Sequence, residues 1–133
     1  MTAKLTFEAL QTGQVLPLGV CAVDPEAMGE FLKRLAPSRL AKDGCPEAML
    51  YAIWCRMFDD ASQGLAISKS LAVDALRFMR SPPPGELLRG RMTIMGKDPV
   101  GDDRGVVIAQ HDLLDEAGRL VFSCLTRTLF LRD

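Results

Sequence analysis

The stretch PEAMLYAIWCRMFDD, Pro46–Asp60, decides the fold. Between its first and last turns the only charged residue is Arg56, so apolar side chains would point in every direction around a helix axis. A helix of this kind is enclosed by the rest of the fold on nearly all sides. Pro46 suits its first turn, and Glu47 suits the positive end of the helix dipole. The sequence therefore predicts a long, buried helix here.

A shorter helix is predicted just before this one. Asp24 is a good N-cap for it, and Pro37 ends it. Ala27, Phe31 and Leu35 recur at helical spacing and form one apolar stripe. The short helix would therefore pack one side against the core.

Alternating and β-branched stretches on both sides of the helices predict strands. The predicted strands are Gln14–Val23, Leu65–Met79, Leu87–Met95, Arg104–Leu114 and Arg119–Leu131, with Asp115–Gly118 as a hairpin turn between the last two. Pro17 places the first strand at an edge or a bulge of the sheet, because proline has no N–H to donate. This order predicts an α+β fold, in which an antiparallel sheet lies against the long helix.

Length and composition restrict the class of protein. A chain of 133 residues suits a single domain, residues 1–133, and 48% hydrophobic residues suffice for a core. Sixteen Lys+Arg against 17 Asp+Glu give a net charge of −1, which argues against a nucleic-acid partner. No apolar run is long enough for a transmembrane helix, and no secretory leader is visible at the start. We expect a cytoplasmic protein without a membrane partner.

The residues that bind metals best are few and far apart. The chain has one histidine, His111, and four cysteines: Cys21, Cys45, Cys55 and Cys124. No pair of cysteines has the close spacing of a zinc site. We therefore expect no metal and no cofactor, and interpret the cysteines as reduced core residues. His111 is interpreted as an ordinary strand residue.

Three segments together resemble a known family. They are LTFEALQTGQVLPLG at 5–19, VDALRFMRSPPPGELLRGRMTI at 73–94 and RGVVIAQHDLLDEAGRLVFSCLTRTLFLR at 104–132. In order and spacing the chain resembles the MaoC-like dehydratases, the family of R-specific enoyl-CoA hydratases. The resemblance covers nearly the whole chain. It implies a hotdog fold, with a curled sheet wrapped around the long helix.

The same resemblance implies a catalytic loop between the two helices. The family adds water to a 2-enoyl thioester with an aspartate followed five residues later by a histidine, a general acid–base pair. In LAPSRLAKDGCPE, residues 35–47, Pro37 matches the family's proline. Ala36 stands at the aspartate position and Ala41 at the histidine position. A methyl group carries no proton, so the resemblance implies an impaired hydratase. Whether the protein is an enzyme stays open.

The implied ligand is a coenzyme A thioester. Gly44 and the amides near the start of the long helix suit its carbonyl oxygen, basic loop residues suit its phosphates, and helix residues suit its acyl chain. Each of these residues also has a structural reading as a solvated loop or as core packing. The candidate ligand residues are Arg39, Lys42, Gly44, Cys45, Tyr51 and Trp54.

Two other functions remain open from the sequence. One is an active hydratase or a thioesterase that uses other residues, with Asp43 or Glu47 as the general base. The other is an interaction or regulatory module that binds no thioester. One small sheet cannot enclose so apolar a helix alone, so a partner subunit is expected. That partner is a second copy in a homodimer, or an active hotdog subunit in a heterodimer.

Overall fold

The computed structural model describes residues 3–133. Its strands are β1 (Val15–Ala22), β2 (Ile67–Phe78), β3 (Leu87–Pro99), β4 (Arg104–Leu114) and β5 (Leu120–Leu131). Its helices are α1 (Pro25–Leu35) and α2 (Glu47–Ser62), with short 3-10 turns at Phe7–Ala9 and Ala41–Asp43. The strands form an antiparallel sheet in the order β1-β3-β4-β5-β2. Every helix and strand expected from the sequence is present near its predicted bounds.

The sheet has an inner face, which packs against α2, and an outer face. Along β3 the side chains alternate between them: Leu88, Met92 and Ile94 are buried, whereas Arg89 and Arg91 are exposed. This alternation is the one that the sequence predicts, because successive strand residues point to opposite faces. The inner face and α2 together make the hydrophobic core.

Helix α2 is enclosed on one side within the single chain. The sheet covers that side, and the residues buried there are Met49, Leu50, Ile53, Trp54 and Met57. The opposite side, with Ala52, Cys55 and Arg56, is exposed. This agrees with the expectation that one small sheet cannot enclose the helix alone, and enclosure of the other side by a partner subunit stays a prediction.

The buried side of α1 is rotated from the predicted stripe. Met28 and Leu32 are buried, whereas Leu35 is 71% exposed and Ala27 is exposed as well. Phe31 is half-buried against the core. A contact stripe shifted by one residue places Met28 and Leu32 against the core. The residue spacing predicted the helical period of α1 correctly, but it predicted the wrong buried side.

The two edges of the sheet differ. In β1 the register shifts between Pro17 and Gly19, so the strand has a bulge next to its proline, as predicted. At the other edge, β2 is longer and mostly exposed. No helix within residues 3–133 is long and apolar enough to cross a membrane.

The aromatic ring of Phe7 packs on Gly105 and so fixes the amino-terminal 3-10 turn. The ring of Phe7 lies directly over Gly105 in β4, where a side chain would have no room. The ammonium group of Lys97 lies 4.3 Å from the centroid of the same ring and donates to the Leu10 carbonyl at 2.7 Å. Phe7 therefore depends on the absence of a Cβ at Gly105.

We predict that Gly105→Ala lowers the free energy of unfolding by about 1–3 kcal/mol, because the new methyl group displaces a rigid ring. Urea denaturation measures the change. Gly96→Ala in β3 is the control, since its new Cβ would come no closer than 4.0 Å to Ile108. Equal stability of the two variants would contradict the packing role of Gly105.

Candidate functional site

The loop between α1 and α2 is the predicted active-site region. Ala36 caps α1 by donating its N–H to the Leu32 carbonyl at 3.1 Å, and it packs partly against the core. The Arg39 amide donates to the Ala36 carbonyl at 3.0 Å, which closes a turn. Ala41 opens the short 3-10 turn before α2. Thus residues 36–41 form an ordered turn whose side chains include neither a carboxylate nor an imidazole.

An ion pair joins this loop to the start of α2. The Arg39 guanidinium donates to a carboxylate oxygen of Glu47 at 2.6 Å. This hydrogen bond, helped by the residue's own amide, lowers the pKa of the Glu47 carboxyl. A good general base at neutral pH needs a raised carboxyl pKa. Glu47 is therefore a weakly basic anion whose charge is already paired with Arg39.

The segment just before α2 is held against the loop at residues 81–86, which contains three consecutive prolines. Gly44 has a φ of +87°, and a Cβ there would collide with the backbone of Ser81. The Cys45 amide donates to the Pro82 carbonyl at 2.8 Å.

Gly44 and the amides near the start of α2 are the groups predicted to bind a carbonyl oxygen. Of these amides, that of Cys45 is already bonded within the protein. Because the Glu47 amide donates to its own carboxylate, the amides of Ala48 and Met49 remain as the other donors at this end of the helix.

The thiols of Cys45, Cys55 and Cys124 are poor nucleophiles. Burial raises the pKa of Cys45 to about 11 and that of Cys124 to about 12, and it also raises the pKa of Cys55. All three therefore carry their protons at neutral pH, and the thiolate is the reactive form. The four cysteines are free, but Cys55 is exposed and Cys21 is half-buried. The interpretation of all four as core residues is wrong for Cys55, because it lies on the open side of α2, whereas the half-buried Cys21 packs against the core.

A cavity of about 350 Å³ lies between α2 and β2, on the open side of the helix. Two predicted ligand residues, Tyr51 and Trp54, line it. The other lining residues are Cys55, Phe58, Asp59 and Ser62 from α2, Ile67, Ser70 and Val73 from β2, and Thr128 from β5. Trp54 lies about 10 Å along the helix axis from Glu47. The predicted ligand residues thus form two groups, one at the start of α2 and one along its side.

His111 lies beneath the middle of α2 and away from solvent. It is completely buried, and its Nε2 is 2.8 Å from the Thr126 hydroxyl. The rings of Trp54 and Phe58 contact it edge-on, with centroid distances of 5.2 and 4.8 Å. Burial lowers the pKa of His111 to about 4. Its imidazole is therefore neutral at physiological pH.

Burial disfavours a positive charge on His111 more strongly than the carboxylate of Asp112 favours it. Within residues 3–133, its Nδ1 and the indole nitrogen of Trp54 are buried without a hydrogen-bond partner. The loop carboxylate Asp43 is exposed on the 3-10 turn before α2 and forms no hydrogen bond with His111. The structure thus does not pair the chain's histidine with the predicted loop.

The sequence contained one overlooked signal for His111. In β4 the buried residues Gly105, Val107, Ala109 and Leu113 alternate with half-buried ones. His111 is in phase with the buried set, so the alternation alone places it on the inner face. No sequence pattern predicts the contact of His111 with Trp54, because 57 positions separate the two residues. Among residues 3–133, no cluster of His, Cys, Asp or Glu has the geometry of a metal site.

A sheet of this strand order with one long helix on its inner face is the hotdog fold, and comparison with solved structures confirms that prediction. The monoamine oxidase regulatory protein from Archaeoglobus fulgius is similar over 99% of this chain and 97% of its own, with a TM-score of 0.83 and 17% identity. The MaoC-like dehydratase from Rhodospirillum rubrum is similar over 97% and 98% of the two chains, with a TM-score of 0.82 and 20% identity.

A third similar structure is a complex. The HadBC 3R-hydroxyacyl-ACP dehydratase complex from Mycobacterium tuberculosis matches 89% of this chain and 96% of the compared chain, with a TM-score of 0.65 and 16% identity. R-hydratases are also among the similar structures. At these identities the likeness shows the fold. No family model and no curated protein sequence matches the chain.

The buried imidazole makes stability depend on pH. The pKa of His111 is about 4 in the folded state against 6.5 as the ordinary value. As the pH falls below 6.5, the unfolded chain takes up this proton first, so acid favours unfolding. We predict a loss of about 3 kcal/mol in the free energy of unfolding between pH 6.5 and 4, measured by urea denaturation at several pH values.

The control is His111→Gln, which keeps a hydrogen-bonding group near Thr126 but does not titrate. Protonation of carboxyl groups whose pKa is lowered, such as Glu47, reduces the free energy of unfolding of both proteins only at still lower pH. The variant should therefore lose the slope between pH 6.5 and 5. An unchanged slope in that window would assign the effect to another group.

Proposed function

We propose that the protein is a MaoC-like hotdog subunit that binds acyl thioesters but lacks the hydratase acid–base pair. The observation that carries this proposal is the loop at residues 36–41. It forms an ordered turn into α2, and the resemblance implies that Ala36 and Ala41 occupy the positions of the pair. The chain's histidine supports the proposal, since it is neutral and enclosed by Trp54 and Phe58.

The ligand proposed for the site is a coenzyme A thioester. The cavity beside α2 is lined mostly by apolar side chains, including Tyr51 and Trp54, which suits an acyl chain. Lys42 is exposed on the loop near the helix start, where a cation suits a phosphate group. Arg39 is engaged by Glu47, so any contact with a phosphate would have to compete with that ion pair.

The open side of α2 supports the proposal of a partner subunit. Ala52 and Cys55 on that side are exposed, and the adjacent edge strand β2 exposes Leu71 and Leu76. Apolar surface of this kind is typically covered by another protein. We propose a homodimer, or a heterodimer in which an active hotdog subunit supplies the chemistry.

A thioesterase is the less supported alternative. It needs a carboxylate that accepts a proton from water as the water attacks the thioester. The Arg39 hydrogen bond lowers the pKa of Glu47 and so weakens it as a base. Asp43 is exposed on the 3-10 turn and has no imidazole beside it. Neither carboxylate has the surroundings of a tuned base.

Thermal unfolding with added ligand tests the binding proposal. Coenzyme A, acetyl-CoA and octanoyl-CoA are titrated separately against the purified protein. Because a ligand that binds only the folded state stabilises it, Tm should rise with the logarithm of ligand concentration. The rise should be larger for octanoyl-CoA than for coenzyme A if the acyl chain is bound. Flat curves for all three ligands would favour the interaction module that binds no thioester.

Two serine variants of β2 locate the acyl chain. Ser70 lines the cavity beside α2, whereas Ser68 on the same strand does not, and both are exposed. We expect Ser70→Phe to remove the extra Tm rise caused by the octanoyl group and Ser68→Phe to keep it. Size-exclusion chromatography shows whether either variant changes the oligomeric state. Loss of the acyl effect in both variants, or in neither, would place the chain elsewhere.

A further inference from the structure

One arginine on the outer face of the sheet differs from its neighbours. Arg91 in β3 pairs with Asp112 in β4, and Arg127 in β5 pairs with Asp74 in β2, each at 3.3 Å. Arg89 has the same kind of position, but its neighbours across the two adjoining strands are Val20 and Leu114. Within residues 3–133, Arg89 therefore forms no ion pair.

The surface beside Arg89 is a dent with apolar walls. The bulge in β1 turns Leu18 inward, where it is 5% exposed and packs against the inner side of Gly90. On the outer face Val15 and Val20 lie on either side of the bulge and are 58% and 56% exposed. The dent has a volume of about 390 Å³ and is lined by Val15, Pro17, Gly19, Val20, Arg89, Gly90, Arg91 and Leu114. We call this surface the Arg89 patch.

Nearby carboxylates do not neutralise Arg89. A second depression shares Arg89 and Leu114 with the patch and contains Asp115 and Glu116. Asp115 is bonded to the Arg119 guanidinium and amide, both at 2.9 Å. Glu116 accepts from the Leu87 amide at 3.1 Å. The Asp115 carboxylate thus holds the hairpin turn and the Glu116 carboxylate ties the turn to β3, and neither lies within ion-pair distance of Arg89.

The shape of β1 decides how a partner can approach. Pro17 has no N–H, and the bulge beside it interrupts the edge, so an added strand would find an irregular ladder. A partner therefore lies on the outer face and not along the edge. There it meets a cation between aliphatic side chains, which suits a carboxylate next to an aliphatic group.

We propose that the Arg89 patch docks an acidic, apolar segment of a partner protein, with a glutamate or aspartate on Arg89 and a Val- or Leu-type side chain in the dent. A second copy whose two-fold axis passes through the patch is less suited, because it would bring Arg89 against Arg89 of the copy. This surface lies on the opposite face of the sheet from α2 and its cavity. The proposal is therefore independent of thioester binding.

Short peptides test the chemistry of the patch. The probes are the blocked peptide acetyl-Ser-Val-Glu-Leu-Ser-amide and the same peptide with Gln in place of Glu, followed by amide chemical shifts of the labelled protein. We expect the Glu peptide to shift Val20, Gly90 and Leu114. Its Kd should be at least about fivefold lower than that of the Gln peptide, as an ion pair of about 1 kcal/mol implies.

Two arginine variants provide the matched comparison. Arg89→Gln should raise the Kd of the Glu peptide by about the same factor, whereas Arg127→Gln, on the same face but already paired with Asp74, should leave it unchanged. Equal binding of both peptides, shifts centred on another surface, or no shift at about 5 mM peptide would overturn the proposal. Hexanoate binding as tightly as the Glu peptide would overturn it too, in favour of a small aliphatic carboxylate.

Discussion

The indole of Trp54 occupies the contact between helix α2 and the sheet, and much of the molecule depends on it. Its ring lies against the rings of Phe58, His111 and Phe122, with centroids 5.2 to 5.8 Å apart. This packing gives α2 its single buried side and places a histidine where water does not reach. A residue type that often carries acid–base chemistry is thereby a structural part of the core. The same contact leaves the far side of α2 open, where the cavity along β2 begins.

At the start of α2 a second set of contacts fixes the loop without equipping it for proton transfer. The Arg39–Glu47 ion pair and the Cys45–Pro82 hydrogen bond tie three segments together. The charges and donors that a thioester would meet are largely used to hold the backbone in place. Hence an ion pair and backbone hydrogen bonds fix the shape of the loop, and the small side chain of Ala36 packs partly against the core.

The sequence predicted the architecture well, because periodicity and turn residues report on local geometry. The β3 alternation, Pro17 at an edge bulge and the order of elements are all present in the structure. The sequence predicted less well which side of a helix is buried. The buried side of α1 is centred on Met28 and Leu32, since the choice between neighbouring stripes depends on what packs against the helix.

The site was predictable only in part, because its contacts join distant residues. The position of the loop between the two helices is readable from the sequence, whereas the loss of an acid–base pair stays a prediction that the resemblance implies. The bond between the Cys45 amide and Pro82, and the enclosure of His111 by Trp54, are not readable from the sequence, because each depends on how separate segments meet in space. The predicted roles of the ligand residues stay predictions, as does the oligomeric state.

The central claim is that the protein keeps the form of a hydratase site without its chemistry. The most direct test is the rate of hydration of but-2-enoyl-CoA by the purified protein, compared with a buffer blank. The account predicts no rate above the blank at any protein concentration. A rate that increases in proportion to protein concentration and follows the protein through successive purification steps would contradict it.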